Sequence, residues 1–374
     1  MGFVDFQTFM ELPDSKKCEI IQDYAVLYAQ QFDRKDLDEY NRIADAARRL
    51  HKTREGADLM ASLLRHRVAL NFFVQPSSRT FLSFNVAESY LGMRRMSIRD
   101  VKISSISKGE SLGDSVRTFL SYVDLIVMRH PESDAGAEAF WIANNSHRRL
   151  KINGEERPIP IISGGSGTQQ HPTQALLDIY TLQKSFEKTG GIDGKKIMLV
   201  GDLKRGRTVR SLAYLMKNYE GVELYFAAPP EYQMKEDICQ FLREHNIPYH
   251  VIGSIAEAIE EVDAVYMTRI QDEWDKNRNP DDPHVKASQN FVFTLELLKR
   301  MKPAACLMHP LPKRDEIDPQ LDYIEDPRIV YWRQERNGMW MRVAIIAKLF
   351  HVHHLILEKA KELGPRESEL KEHL

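Results

Sequence analysis

Cysteine is scarce in this chain, and its placement argues against a structural use of sulfur. Cys18, Cys239 and Cys306 are far apart and in no metal-like spacing, which fits buried thiols in a reducing compartment better than a disulfide framework. An excess of one charge is missing too. Lys and Arg total 52 against 54 Asp and Glu, a net charge of -2, so nothing attracts nucleic acid or an anionic membrane in bulk. Any anion must be bound by a local cluster. No apolar run approaches the roughly 18 residues of a membrane span. The opening MGFVDFQTFM has an early acid, no apolar stretch of signal-peptide length, and Phe6 where a myristoylation signal needs Ser or Thr. A soluble, cytoplasmic protein is expected, with a removed organellar peptide left open. Phosphate-loop signatures are also lacking, since VGDLKRGRT and GGSG match neither a Walker motif nor G-x-G-x-x-G after a strand. There is no internal repeat and no low-complexity tract.

What is present is alternation. The 374 residues exceed one domain of ordinary size, so two domains with a cleft between them are expected. From about residue 195, short β-branched runs alternate with amphipathic stretches: KKIMLVGD, TVRSLAYLMKNY, VELYFAAP, EYQMKEDICQFLREHN, PYHVIG, SIAEAIEEV, DAVYMTR, LELLKRM and ACLMHPLP. This predicts an α/β fold, a parallel sheet with helices on both faces. The first part repeats the theme with VALNFFV before a helix starting near Ser77, and with VDLIVMRHP. Such chains place functional residues at the carboxyl ends of strands. Four polar motifs stand there: Gln75 to Thr80, Arg129-His130-Pro131, Thr268 to Gln271, and His309 to Pro312.

Two further segments carry expectations. RLKI-NG-EERPIPII predicts a hairpin turning at Asn153-Gly154, read as surface decoration. From about Arg342 a helix is expected with Val343, Ile346, Ala347 and Phe350 on one face, ending in a charged tail.

The segment NFFVQPSSRTFLSF runs a strand into a helix start bearing Ser77, Ser78, Arg79 and Thr80. Helix N-termini have unpaired N–H groups and partial positive charge, so this is a natural phosphate site once hydroxyls and a guanidinium are added. With it stand SISKGE at 105, RHP at 129, HPTQ at 171, DLKRGRT at 202, TRIQ at 268 and HPLP at 309. In this order and spacing they resemble the aspartate carbamoyltransferases, whose family carries S-T-R-T, S-x-x-x-K-G-E, R-H-P, H-P-T-Q, D-L-x-x-G-R-T, T-R-x-Q and H-P-L-P.

The resemblance implies two doubly wound parallel-sheet domains joined by long helices. Residues 1–172, completed by a C-terminal helix at 338–374, would bind carbamoyl phosphate, and residues 173–337 would bind L-aspartate. It implies that Ser77, Ser78, Arg79 and Thr80 hold the phosphate, with Arg129 reaching phosphate and carbamoyl oxygen. His171 would bond the carbamoyl carbonyl, and Gln174 and the backbone at Pro310 and Leu311 the carbamoyl amide. Arg207 would take the α-carboxylate of aspartate, and Arg269, Gln271 and Lys108 its side-chain carboxylate, with Leu311 also lining that subsite. Ser104 and Lys108 would reach a neighbour's cleft in a homotrimer with shared sites, larger assemblies being left open. No metal or other cofactor is expected, since phosphate leaves as a stabilised anion and no ligand cluster is present in the sequence.

Guanidinium forks suit carboxylates, so Arg207 and Arg269 favour aspartate over ornithine, whose second group is an amine. Thr173 and Pro310 also differ from the H-P-C-Q and H-C-L-P of the ornithine branch. A catalytically silent binding or scaffold subunit is the other alternative. The family's usual Glu at Gln75 and Arg at Trp274, which help hold the domains closed, are both replaced. A different lock, or a partner that closes the chain, would fit. Lys313 stands where the family often has Arg.

Overall fold

The computed structural model describes residues 5–99, 109–167, 170–270 and 288–364. The chain forms two compact units, one of Met1–Leu27, Lys35–Gly167 and Met339–Leu374, the other of Tyr28–Arg34 and Thr168–Gly338.

The first unit contains strands β1 (Ala25–Val26), β2 (Val68–Phe73), β3 (Arg94–Ile98), β4 (Leu125–His130), β5 (Leu150–Ile152), β6 (Glu155–Arg157) and β7 (Ile161–Ser166). Its helices are α1 (Phe6–Glu11), α2 (Asp14–Ile21), α3 (Arg34–Leu50), α4 (Arg54–Leu63), α5 (Ser78–Tyr90), α6 (Leu112–Leu120) and α7 (Ala135–Asn145). Five strands pair in parallel in the order β1-β7-β4-β2-β3. The apolar runs of β2, broken only by Asn71, and of β4 up to Met128 are explained by burial on both faces, as expected of inner parallel strands.

The second unit runs α8 (Pro172–Ser185), β8 (Lys196–Val200), α9 (Arg207–Leu215), β9 (Glu223–Ala227), α10 (Glu236–Glu244), β10 (Tyr249–Ile252), β11 (Ala264–Met267), α11 (Leu295–Arg300) and β12 (Cys306–Met308). Its strands are all parallel, in the order β10-β9-β8-β11-β12. Helix α12 (Tyr331–Leu349) contains the last passage from one unit to the other, and α13 (His353–Glu362) follows it. No single helix among the described residues is long and apolar enough to cross a membrane.

The parallel α/β architecture expected from alternation is present in both units, with three local differences. SIAEAIEEV forms only a short 3-10 turn at Ile255–Glu257. The Glu257 carboxylate accepts from Gly253 N–H and the Ser254 hydroxyl and closes that turn locally, while Ile255, Ala258, Ile259 and Val262 still reach the core. The C-terminal helix begins at Tyr331, well before Arg342. Every residue from Met341 to Ala347 is buried, which hides the helical period there, and in YWRQERNGMW before it the exposed positions include the apolar Trp332, so no clean polar stripe marks the start.

The third difference is a correction. The hairpin exists, β5 pairing antiparallel with β6 across Asn153 (φ 49°) and Gly154 (φ 88°), the double positive φ of a tight hairpin turn. It is not surface decoration. Lys151 and Asn153 to Glu156 are exposed, while Leu150, Ile152 and Arg157 are buried. Arg157 Nη2 donates to Asp23 O at 3.0 Å, its guanidinium lies 4.7 Å from the centre of the Tyr24 ring, and Nη1 meets the His351 ring. Arg67 Nη2 holds Lys151 O at 3.1 Å. Alternating side chains on so short a ribbon put one face inward, and the exposed charges alone suggested otherwise.

Candidate active site

Each sheet has one place where successive connections turn in opposite directions, and a crevice opens beyond the strand ends there. In the first unit the chain goes from β2 outward to β3, then returns to β4 and on to β7, so the switch lies between β2 and β4. In the second it goes from β8 to β9 and β10, then returns to β11 and β12, so the switch lies between β8 and β11. The sequence motifs fall at these two places.

At the first switch, Gln75 N–H donates to Arg129 O at 3.1 Å and ties the loop after β2 to the end of β4. Helix α5 starts at once. Ser77 adopts an extended N-cap conformation, and its hydroxyl makes no capping bond, which removes the plain capping role as an account of this residue. The first N–H groups of α5 have no intrahelical acceptor. Ser78 and Arg79 are exposed, so their side chains serve no core. Thr80 is buried and lies against Gly164: a Cβ on that glycine would stand 3.4 Å from Thr80 Cγ2. Arg129 is buried, and its Nη1 donates to Gly164 O at 2.9 Å. Thr80 and Arg129 are thus brought together around one glycine at the end of β7. A buried guanidinium beside the positive end of a helix is a strong anion attractor.

At the second switch, Gly201 ends β8 with φ 106°, and a Cβ there would fall 2.0 Å from Thr268 O. Only glycine permits this approach. Thr268 donates to Val200 O through both N–H (2.8 Å) and hydroxyl (2.7 Å), so the segments leading to Arg207 and Arg269 lie side by side. Arg207 opens α9 and is half-buried. Desolvation lowers its pKa to about 10. A cation so placed favours an anion that replaces its lost water. Arg269 follows Thr268 directly and is also half-buried.

His171 and Gln174 belong to this unit as well. His171 is buried, its N–H donating to the Ser211 hydroxyl at 2.9 Å and its Nδ1 lying 3.4 Å from Thr173 Oγ1. Gln174 Nε2 donates to Asp178 Oδ1 at 3.0 Å. Beyond β12, His309 Nδ1 accepts from Leu311 N–H at 2.7 Å, so Nε2 carries the proton and donates to Glu316 at 2.8 Å. That contact holds the Glu316 carboxyl below the usual range against the opposing effect of burial. Leu311 has φ 54° and is followed by a cis peptide to Pro312. A positive φ on so bulky a residue is held by its surroundings. Lys313 pairs with Asp322 and lies 5.1 Å from the centre of the Tyr331 ring.

Ser104, Lys108, Gln271 and Trp274 lie outside the described residues. Three residues that the sequence reading did not single out belong to the site's support: Asp178, Tyr266 and Gln334. The one available signal was Asp178, which stands one helical turn after Gln174 in HPTQALLD.

Residues 26–184 match the carbamoyl-P binding domain of aspartate/ornithine carbamoyltransferase, and residues 193–349 match the Asp/Orn binding domain. The chain is 39% identical over 326 residues to chloroplastic aspartate carbamoyltransferase 1 of Pisum sativum, covering 87% of this chain and 78% of the relative. It is 38% identical over 288 residues to the aspartate carbamoyltransferase catalytic subunit of Methanocaldococcus jannaschii, covering 77% and 86%. In structure it is similar to the aspartate transcarbamoylase of Trypanosoma cruzi solved with carbamoyl phosphate, with a TM-score of 0.74 and 34% identity over 87% of this chain and 96% of that one.

Proposed function

The chain belongs to the aspartate/ornithine carbamoyltransferase family, and from that premise we propose that it transfers the carbamoyl group of carbamoyl phosphate to the amine of L-aspartate. The products are N-carbamoyl-L-aspartate and phosphate, and the step feeds de novo pyrimidine synthesis. The observation that carries this reading is the placement of two separate cationic sets, Arg79 with Arg129 and Arg207 with Arg269, at the strand ends flanking the two topological switches.

In this reading the first unit takes carbamoyl phosphate. The N–H groups at the start of α5, the hydroxyls of Ser77, Ser78 and Thr80, and Arg79 hold the phosphate. Arg129 and Thr80, with His171 of the second unit, donate to the carbamoyl oxygen, on which negative charge grows as the amine attacks. Loss of one such donor costs about 10²- to 10³-fold in rate. Gln174 and the backbone at Pro310 and Leu311 receive the carbamoyl amide. Arg207 and Arg269, with Gln271 and Lys108, take the two carboxylates of aspartate. The new bond joins the amine nitrogen to the carbamoyl carbon, the bond from that carbon to the phosphate oxygen breaks, and phosphate leaves with the electron pair and accepts the amine proton. Holding both substrates in line contributes on the order of 7 to 11 kcal/mol.

Aspartate is preferred to ornithine because a fixed cation at Arg269 opposes a second amine. The proposal includes a homotrimer in which Ser104 and Lys108 serve a neighbour's site, and a cytoplasmic location, in keeping with three cysteines, Cys18, Cys239 and Cys306, that form no disulfide with one another. The test is turnover of carbamoyl phosphate with aspartate, with ornithine and without acceptor. Rapid phosphate release with aspartate alone is expected. Faster carbamoylation of ornithine would overturn the acceptor assignment, and no turnover with either would overturn the activity.

A further inference from the structure

Asp178 is fully buried on α8, one turn after Gln174. Its carboxylate accepts from three side chains: Gln174 Nε2 at 3.0 Å and Gln334 Nε2 at 2.7 Å on Oδ1, and the Tyr266 hydroxyl at 2.7 Å on Oδ2. Each donor leads to a different motif. Tyr266 lies on β11 just before Thr268 and Arg269, and it also bonds with the Thr208 side chain, next to Arg207. Gln334 turns its Oε1 to His309 N–H at 2.9 Å, at the start of the HPLP segment. Gln174 bonds this acceptor directly, and the other three motifs of the second unit are tied to it through Tyr266 and Gln334.

This arrangement resolves an ambiguity that a glutamine leaves open. The amide of Gln174 has a donor end and an acceptor end of nearly equal shape, and a ligand could meet either. Gln334 gives its carbonyl to His309 N–H and therefore its NH₂ to Asp178 Oδ1, so that oxygen accepts whether or not Oδ2 carries a proton; it takes the NH₂ end of Gln174 as well, and the carbonyl end faces away from it. A carbonyl oxygen selects a ligand that donates. Among acyl phosphates of the same shape it favours the NH₂ of a carbamoyl group over the methyl of an acetyl group.

We propose that Asp178 is a positioning residue that makes the enzyme selective for carbamoyl over acetyl transfer by fixing the orientation of the Gln174 amide. The inference rests on the function proposed above and goes further by naming what enforces donor choice. A site built to hydrogen-bond a substrate group rejects the analogue lacking it by up to about 10⁴- to 10⁵-fold. Asp178→Asn keeps size and packing but offers Gln174 a donor as well as an acceptor, so neither amide orientation is imposed.

The experiment compares kcat/KM for carbamoyl phosphate and for acetyl phosphate, both with aspartate, in the wild-type enzyme, Asp178→Asn and Gln174→Leu, with thermal melting of each. Asp178→Asn should lose about tenfold or more of the carbamoyl-to-acetyl ratio, roughly the worth of one oriented hydrogen bond, chiefly through slower carbamoyl transfer. In the Gln174→Leu background, Asp178→Asn should change the ratio no further. An equal loss with both donors, or an unchanged ratio, overturns the proposal and leaves Asp178 a structural residue. Should Asp178→Asn fail to fold, Gln174→Leu alone decides: if it keeps the wild-type ratio, Gln174 does not read the amide and the proposal falls. Wild-type turnover with carbamoyl phosphate and aspartate separates these outcomes from failure of the underlying function.

Discussion

Arg79 is exposed at the second position of α5, where an alanine is a good helix former. Arg79→Ala should therefore lower kcat/KM for carbamoyl phosphate by about 10²- to 10³-fold and leave the melting temperature nearly unchanged. Steady-state kinetics beside a thermal melt checks this, and normal activity would sink the assignment of Arg79 to the phosphate. Arg79, Thr80 and Arg129 were legible because each follows an apolar run that could only be a buried strand, and polar residues at such ends have few structural uses. Asp178, Tyr266 and Gln334 were not. Tyr266 is one letter of the apolar run AVYM, Gln334 sits in YWRQER without a motif, and they come to Asp178 from 88 and 156 residues away. Nothing local in a sequence records a partner at that distance. The Gly201 approach to Thr268 was hidden for the same reason.

The hairpin β5–β6 shows what is lost when an element is judged by its tip. Its turn was readable from Asn153-Gly154, yet the inward face of Leu150, Ile152 and Arg157 was obscured by the charges that alternate with it. Cutting Lys151 to Glu156 back to a short turn removes Ile152 and shifts Arg157 from its bonds. We expect a loss of about 2 to 5 kcal/mol, the usual range for emptying a buried aliphatic site, measured by urea unfolding. Unchanged stability would return the hairpin to surface decoration. Helix α12 was likewise legible only in part. An amphipathic stripe reveals a helix on a surface, but Met341 to Ala347 are buried on every side and the exposed positions before them include Trp332, so the beginning at Tyr331 could not be read. By contrast, the parallel sheets were plain in the sequence, because continuous apolar runs separated by amphipathic stretches admit few other folds.

For the molecule as a whole, stability should depend on pH through its buried carboxyls. Glu88 on α5 is fully buried, both its oxygens accept from Asn71 Nδ2 (2.9 and 2.7 Å), and burial raises its pKa to about 8, with Asn71 and then Arg95 opposing. The folded chain then holds a proton that the unfolded chain has released, so stability falls as pH rises from about 4.5 to 8 and levels off above. Burial raises Asp178 to about 7 and adds the same sign up to that pH. Burial lowers His130, His351 and His353, which act oppositely below pH 6.5, so the clearest window is pH 6.5 to 8. The melting temperature should drop across it, with a slope of at most about 1.4 kcal/mol per pH unit for each group. Glu88→Gln should flatten that slope, and an unaltered slope would exclude Glu88 as its source. The proposed trimer has its own test. Inactive Arg79→Ala and Lys108→Ala proteins, dissociated, mixed and reassembled, should regain up to about a third of normal activity, because one site in each mixed ring takes both residues from intact donors. Mixed trimers that are confirmed by mass but stay inactive would confine the site to one chain. The sheets bear on the enzyme's history. Four strands of the first unit, β7-β4-β2-β3, and four of the second, β12-β11-β8-β9, follow one order, with each switch between corresponding neighbours. In the function proposed above, two copies of one plan would hold two different substrates, and a change in the loops after β8 and β11 would leave those after β2 and β4 untouched. A lineage with this layout can change the amine that it accepts without reinventing how it grips phosphate.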